Sequence, residues 1–399
     1  MSTDRWTDDY LNSMRRTGDK EADAVIMAVM QEHGLQKVND VFVHLVKNDS
    51  YVEAELPSIV QQYLKDTAVL PEWADQRTLK VASDVFFVHG AEIVLLLFGA
   101  SLPVLYANPK GARVLTMTNF MVNRLLRRIV ETAQFVLDVT DTDAFGPNGM
   151  GIRTTQKVRL MHATIRHLIQ YEPRWAKDWN TEWGLPINQT DLTGTMMSFS
   201  TTVIAGLKNS SINLSQEHQE AYLHLWKVVG HLLGIVPELM PENVADATLY
   251  MEHWSRLYQE RSDSGIALAK ALVDLMKSYV LFRPLKGIPT SWIRFSTSNH
   301  VGDVLAIAPF DWTVGLLRAE AVAWALLDRL SYSSVRWERL SRVISRQVLV
   351  GLLAFERGGS RPAFRLPDRL RQSMNIPASA VAAPLSPALA ATQAGGEGD

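Results

Sequence analysis

The stretch Ile152–Tyr171, IRTTQKVRLMHATIRHLIQY, decides how the chain is read, because its apolar residues recur at helical spacing without a breaker. Residues three and four apart share a helix face. Arg159, His162 and Arg166 therefore fall along one strip, beside an apolar strip of Val158, Ile165 and Ile169. An imidazole between two guanidiniums has two structural readings, a half-buried histidine bonded to a carbonyl or part of a solvated basic face. Both outweigh a metal ligand on residue types alone, since metal sites usually need several side chains. Haem is the exception: one axial imidazole holds its iron, and nearby arginines such as Arg159 and Arg166 can pair with its two propionates.

The helix expected just upstream, Ala112–Val139, contains Arg128-Ile129-Val130-Glu131-Thr132, which sets Arg128 and Thr132 one turn apart on the same side. In isolation that is a polar strip on a surface helix. The two helices are joined by Asp141–Gly151, whose DAFGPNGMG reads as a connector and, second, as a rim over a pocket.

Arg128 and Thr132, followed thirty residues later by His162 in VRLMHATIRH, resemble the rubber-oxygenase catalytic domain family. That family includes secreted bacterial latex clearing proteins and a fungal membrane-bound oxygenase. The resemblance takes in His89–Leu115 upstream and Thr190–Leu207 and Tyr222–Pro241 downstream, and covers about Val25 to Arg283. It implies an all-α fold with a globin-like core around haem b, in which His162 is the proximal iron ligand and Arg128 and Thr132 shape the distal side. It also implies a dioxygen-dependent cleavage of carbon–carbon double bonds in an isoprenoid or other unsaturated hydrophobic substrate. Three departures stand out. Latex clearing proteins carry a lysine immediately before the distal threonine, where this chain has Glu131, either a base turned inward or an ion-pair partner facing away. The family's candidate base, a glutamate sixteen residues before the arginine, falls on Ala112 by ungapped counting. Finally, Arg15-Arg16 is followed by Thr-Gly-Asp-Lys-Glu and not by an apolar run, so no secretion signal is read and a cytoplasmic protein is expected.

Composition narrows the chemistry. Zero cysteines exclude disulfides, thiolate-ligated or covalently attached haem, Cys-bound zinc and iron–sulfur clusters, so the haem that the resemblance implies would be a non-covalent haem b held by imidazole. Forty basic residues against forty-two acidic ones, read as lacking a basic block, give no footprint for nucleic acid. With 47% apolar residues in 399, one large helical domain is expected over 21–357, after a polar segment 1–20 and before a low-complexity tail 358–399.

Helices are expected at Asp23–His33, Lys37–Lys47, Val52–Thr67, Asp191–Leu207, Ser215–Leu233, Pro241–Glu260, Asp263–Leu281, Asp311–Leu330 and Val335–Phe355. Val85–Tyr106 is the longest apolar run, but His89, Glu92, Gly99 and Pro103 interrupt it, so no stable membrane span is expected. Trp175, Trp179 and Trp183 read as core. His224 and His231, seven apart on one helix face, are the rivals of His162 and lack a neighbouring carboxylate at ligand spacing. Two further readings stay open at this point: a haem or gas sensor or hydrophobic-ligand binder without turnover, and a helical scaffold with no cofactor.

Overall fold

Many helices begin where a short polar side chain can accept a bond from the first exposed N–H groups. Asp75, Asn108, Asn188, Ser215, Asn243, Ser262 and Ser298 each do so in a computed structural model, which describes residues 5–47, 56–118, 125–147 and 149–319. Each such cap is worth about 1 kcal/mol. The protein is all-α, with no strand among the described residues. The caps correct several expected boundaries. Asn188 starts Gln189–Phe199, leaving Asp191 in its first turn, and a break at Ser200 separates a second helix, Thr201–Asn209. Asn243, and not Pro241, opens Val244–Tyr258. Two short helices, Ile288–Ser296 and Asn299–Val304, lie between the expected helices Asp263–Leu281 and Asp311–Leu330.

The central stretch forms one helix, Gly151–Tyr171, called here the His162 helix. It is wedged between two apolar cores. One is built with the kinked helix Lys20–Lys47 and with Ser58–Asp66, and takes in Trp175 and Trp179. The other is larger and runs from Leu79 through Phe86, Val136, Met197 and Trp226 to Ile307. Gly34, at φ +74°, makes the kink that divides the first of those helices in two, as the pattern on either side of it predicts.

The N-terminal segment belongs to this body. Leu11 of the helix Asp8–Met14 is fully buried, Arg15 pairs with Asp191 at 2.7 Å, and Trp6 Nε1 donates to Asp246. The apolar run after Val85 is broken as expected. Gln76–Val88 and Gly90–Tyr106 meet at 83°, and the second piece passes through a π-turn at Leu97–Ser101. No single helix among the described residues is long and apolar enough to cross a membrane, although this bent pair passes by length and composition. The expected helix Val335–Phe355, most of Asp311–Leu330 and the tail 358–399 lie outside the described residues.

Candidate active site

The Arg128 helix, Leu125–Thr140, packs against the His162 helix, and their connector fixes how they meet. Gly149 sits so close to Asp143 that a Cβ would stand 1.9 Å from its carbonyl oxygen, and Gly151 N–H donates to Ala144 at 2.7 Å. Thr154 Oγ1 then donates to Asp138 at 2.8 Å, locking the register of the two helices. The helix containing Ala112, Pro109–Met117, is separate from the Arg128 helix.

Between them and the larger core lies a cavity of about 280 Å³, lined mostly by apolar side chains such as Leu97, Phe98, Ile129, Phe199 and Trp226. Arg128, Thr132 and His162 all line it. Val158, Met161, His162 and Ile165 give it one continuous face of the His162 helix, spaced as a helix face must be. Thr132 Oγ1 donates to the carbonyl of Arg128 at 2.9 Å, which ties the two distal candidates to one turn.

His162 is only half-buried by surface area, yet its opening is onto this cavity, so its environment is that of the interior. Burial, helped by the Arg166 and Arg128 guanidiniums, pushes the imidazole down to about 3 and keeps it neutral. A neutral imidazole is the form that ligates metal. Nδ1 is fully buried and has no hydrogen-bond partner, leaving Nε2 as the nitrogen with accessible surface. Among the described residues no carbonyl or carboxylate holds this second nitrogen, as one ordinarily does in a ligating histidine.

The flanking arginines do something else. Neither Arg159 nor Arg166 lines the cavity. Arg159 donates to Asp19 at 2.6 and 2.9 Å and to Glu21 at 2.7 Å, and Arg166 donates to Asp23 at 3.0 Å, so both guanidiniums face the N-terminal segment. Gly234, at φ +80°, makes room for this: a Cβ there would stand 2.5 Å from Asp19 Oδ2 and 2.6 Å from Arg159 Nε. Sequence spacing put the three residues on one strip, but the faces differ by enough to separate imidazole from guanidiniums. Pairing with propionates is thus replaced by pairing with carboxylates of the chain.

Glu131 is buried and off the cavity wall. It accepts from Arg127 at 3.0 Å, with Arg128 at 3.9 Å, which is the ion-pair reading of that position. Ala112 is likewise buried and off the wall. His224 accepts from the Asp75 N–H and lies on a separate surface groove with Lys227, and both it and His231 stand edge-on to Trp73. No cluster of three or more metal-ligating side chains occurs among the described residues.

Two wall residues escaped the sequence reading. Asp191 is a carboxylate on the cavity wall, held by Arg15, Asn108 and Asn188. Tyr106 is fully buried in the same lining, with a hydroxyl that has no partner among the described residues and a pKa raised by burial. Its place inside a long apolar run hid it.

The model of the family described as "ER-bound oxygenase mpaB/B'/Rubber oxygenase, catalytic domain" matches residues 80–394. Over 362 residues the chain is 28% identical to the "Rubber oxygenase" of Streptomyces sp. (strain K30), covering 89% of this chain and 86% of that protein. A solved structure described as "Structure of Latex Clearing Protein LCP in the closed state" aligns with a TM-score of 0.70 at 26% identity, covering 89% of this chain and 95% of that one. An all-α body, an apolar cavity between the two expected helices and a family match over most of the chain lead to one conclusion: this protein is an oxygenase and belongs to the mpaB/rubber oxygenase catalytic-domain family.

Proposed function

We infer that this oxygenase uses haem b to cleave carbon–carbon double bonds of an isoprenoid or other unsaturated hydrophobic substrate with dioxygen, placing one oxygen atom in each of two new carbonyl groups. The observation that carries the reading is His162, a neutral imidazole whose accessible nitrogen opens onto an apolar cavity that also holds Arg128 and Thr132. The donor set suits haem better than a bare metal ion, because a lone imidazole without neighbouring carboxylate or thiolate ligands is what an iron already held by four porphyrin nitrogens needs. When bound, haem supplies the one-electron chemistry that lets dioxygen react with an olefin.

The chain's own residues would divide the remaining work. His162 Nε2 would hold the iron, with its proton on Nδ1. Arg128, the guanidinium on the wall, would orient negative charge that develops on oxygen, since an ion pair buried in an apolar site is screened little. Thr132, whose hydroxyl donates to the Arg128 carbonyl one turn back, would shape the same side of the cavity. The apolar lining would bind the hydrocarbon and exclude water. Neither Glu131 nor Ala112 is placed to move a proton in the cavity; among the described residues Asp191 is the carboxylate that reaches the wall, and its hydrogen bonds to Arg15 and two asparagines hold it in place.

A cytoplasmic location belongs to the same proposal, and fractionation that finds the native protein outside the cell would end that part of it. The activity is tested by incubating purified protein with a set of unsaturated terpenoids, following oxygen uptake and detecting aldehyde and ketone products by mass. Oxygen uptake with carbonyl products is expected. Hydroxylated or epoxidised products with intact carbon skeletons would overturn the cleavage reading.

A further inference from the structure

The charge of this chain is unevenly divided. Between Leu275 and Arg371 there are fifteen Lys and Arg against seven Asp and Glu, and from Leu275 to Gly302 there is no acidic residue at all. A near-neutral total conceals a strongly basic C-terminal third, which is the pattern of a chain that meets an anionic surface.

Large apolar side chains are exposed in the same part of the protein. Leu281 is 88% exposed, Phe282 70% and Trp312 60%, and Tyr279, Phe310 and Leu316 are exposed with them. Their two loops are tied into one corner. Gly287, at the end of the turn Arg283–Gly287, lies against the Asp311 carboxylate, so close that a Cβ would stand 1.7 Å from Oδ2. Ser291 Oγ donates to the same carboxylate at 3.1 Å, and Thr313 N–H donates to it at 2.9 Å. Phe310 and Trp312 thus flank the turn that starts at Phe282. Arg283, Lys286 and Arg318 are exposed among them.

From this corner the helix Ile288–Ser296 leads to Leu95, whose carbonyl accepts from Trp292 Nε1. Leu95 is itself exposed, while Val94, Leu97 and Phe98 beside it line the cavity. The corner is therefore continuous with a cavity wall.

We propose that the corner formed by Tyr279–Lys286 and Phe310–Arg318 docks this oxygenase on an anionic lipid surface. Aromatic and leucine side chains with lysine and arginine beside them suit the boundary between headgroups and acyl chains, where apolar bodies sink and cations meet phosphate. A second protein would have to bring acidic residues to match, and the chain's own residues beyond Ala319 are themselves basic, which sets like charge against Arg283, Lys286 and Arg318. Docking here places a cavity wall beside the phase in which an apolar substrate dissolves. It does not depend on the cofactor.

Because the chain has no cysteine, Leu281→Cys in the full-length protein takes a single polarity-sensitive fluorophore. Vesicles of phosphatidylcholine with phosphatidylglycerol should shift its emission to the blue, vesicles of phosphatidylcholine alone should do so weakly, and added salt should reverse part of the effect. In unlabelled protein, Phe282→Ser with Trp312→Ser should lower the vesicle-bound fraction about tenfold, as expected for losing two large apolar contacts. A label already shielded before vesicles are added would mean that the chain's own C-terminal segment or a second copy covers the corner, and would overturn the proposal. So would a label that stays exposed with vesicles present, or vesicle binding unchanged by the double substitution.

Discussion

Asp19→Asn should cost about 3 kcal/mol of stability and leave cofactor affinity unchanged. Asp19 and Arg159 have side chains only 5% and 9% exposed, and they share two charge-assisted bonds of 2.6 and 2.9 Å. Removing one partner of a buried pair costs about 3–5 kcal/mol, because the other charge stays buried. The lower end applies, since Glu21 still holds Arg159 at 2.7 Å from a half-exposed position. With a urea dependence of about 1–3 kcal/mol per molar, the midpoint should fall by about 1–3 M. Unfolding followed by far-ultraviolet circular dichroism reads the stability, and a haem titration of the folded variant reads the site. The reasoning is refuted if stability is unchanged while haem binding weakens tenfold, for then Arg159 would be serving a propionate and not the fold.

Further expectations concern other buried groups. Burial raises Asp23 to about 6, against the opposing pull of Arg166, so its folded pKa lies above the unfolded value of 3.8. The stability it contributes is then present below pH 4 and lost as pH rises through 6, by about 2–3 kcal/mol; stability curves of wild type and Asp23→Asn that run parallel between pH 4 and 6 would contradict this. Ala112→Glu, which puts a carboxylate at the family's position, should not restore a base but destabilise by at least about 3 kcal/mol, because the site is fully buried and off the cavity; a folded variant with raised turnover would argue otherwise. Tyr106→Phe removes a buried hydroxyl without a partner and should leave the cofactor-free protein as stable or more so by about 1 kcal/mol, as thermal melting would show.

What the sequence could reveal was local. Periodicity located the His162 helix, Ser215 located its neighbour's start, and Gly234 the same neighbour's end, because caps and breakers act on the residues beside them. The direction of Arg159 and Arg166 was not legible, since their partners Asp19, Glu21 and Asp23 lie about 140 residues upstream, in a polar and charged stretch near the N-terminus. Arg15 and Trp6 were hidden for the same reason: each is buried only because Asp191 or Asp246 receives it. Asp191 read as a helix-start acid and is one, but the fold also turns it onto the cavity wall. Ile288–Ser296 and Asn299–Val304 are short, and Pro289 together with clustered Ser, Thr and Asn masks the helical pattern there.

The central claim is that His162 holds haem iron, and the absorption spectrum of the purified full-length protein tests it most directly. Wild type, His224→Ala and His231→Ala should all show a Soret band, while His162→Ala should fold, lose the band and regain it when imidazole fills the vacated space. A ferric wild-type spectrum of high-spin form is expected as well, because Glu131 faces Arg127 and not the cavity. A His162→Ala protein with full haem occupancy and an unchanged spectrum would contradict the account.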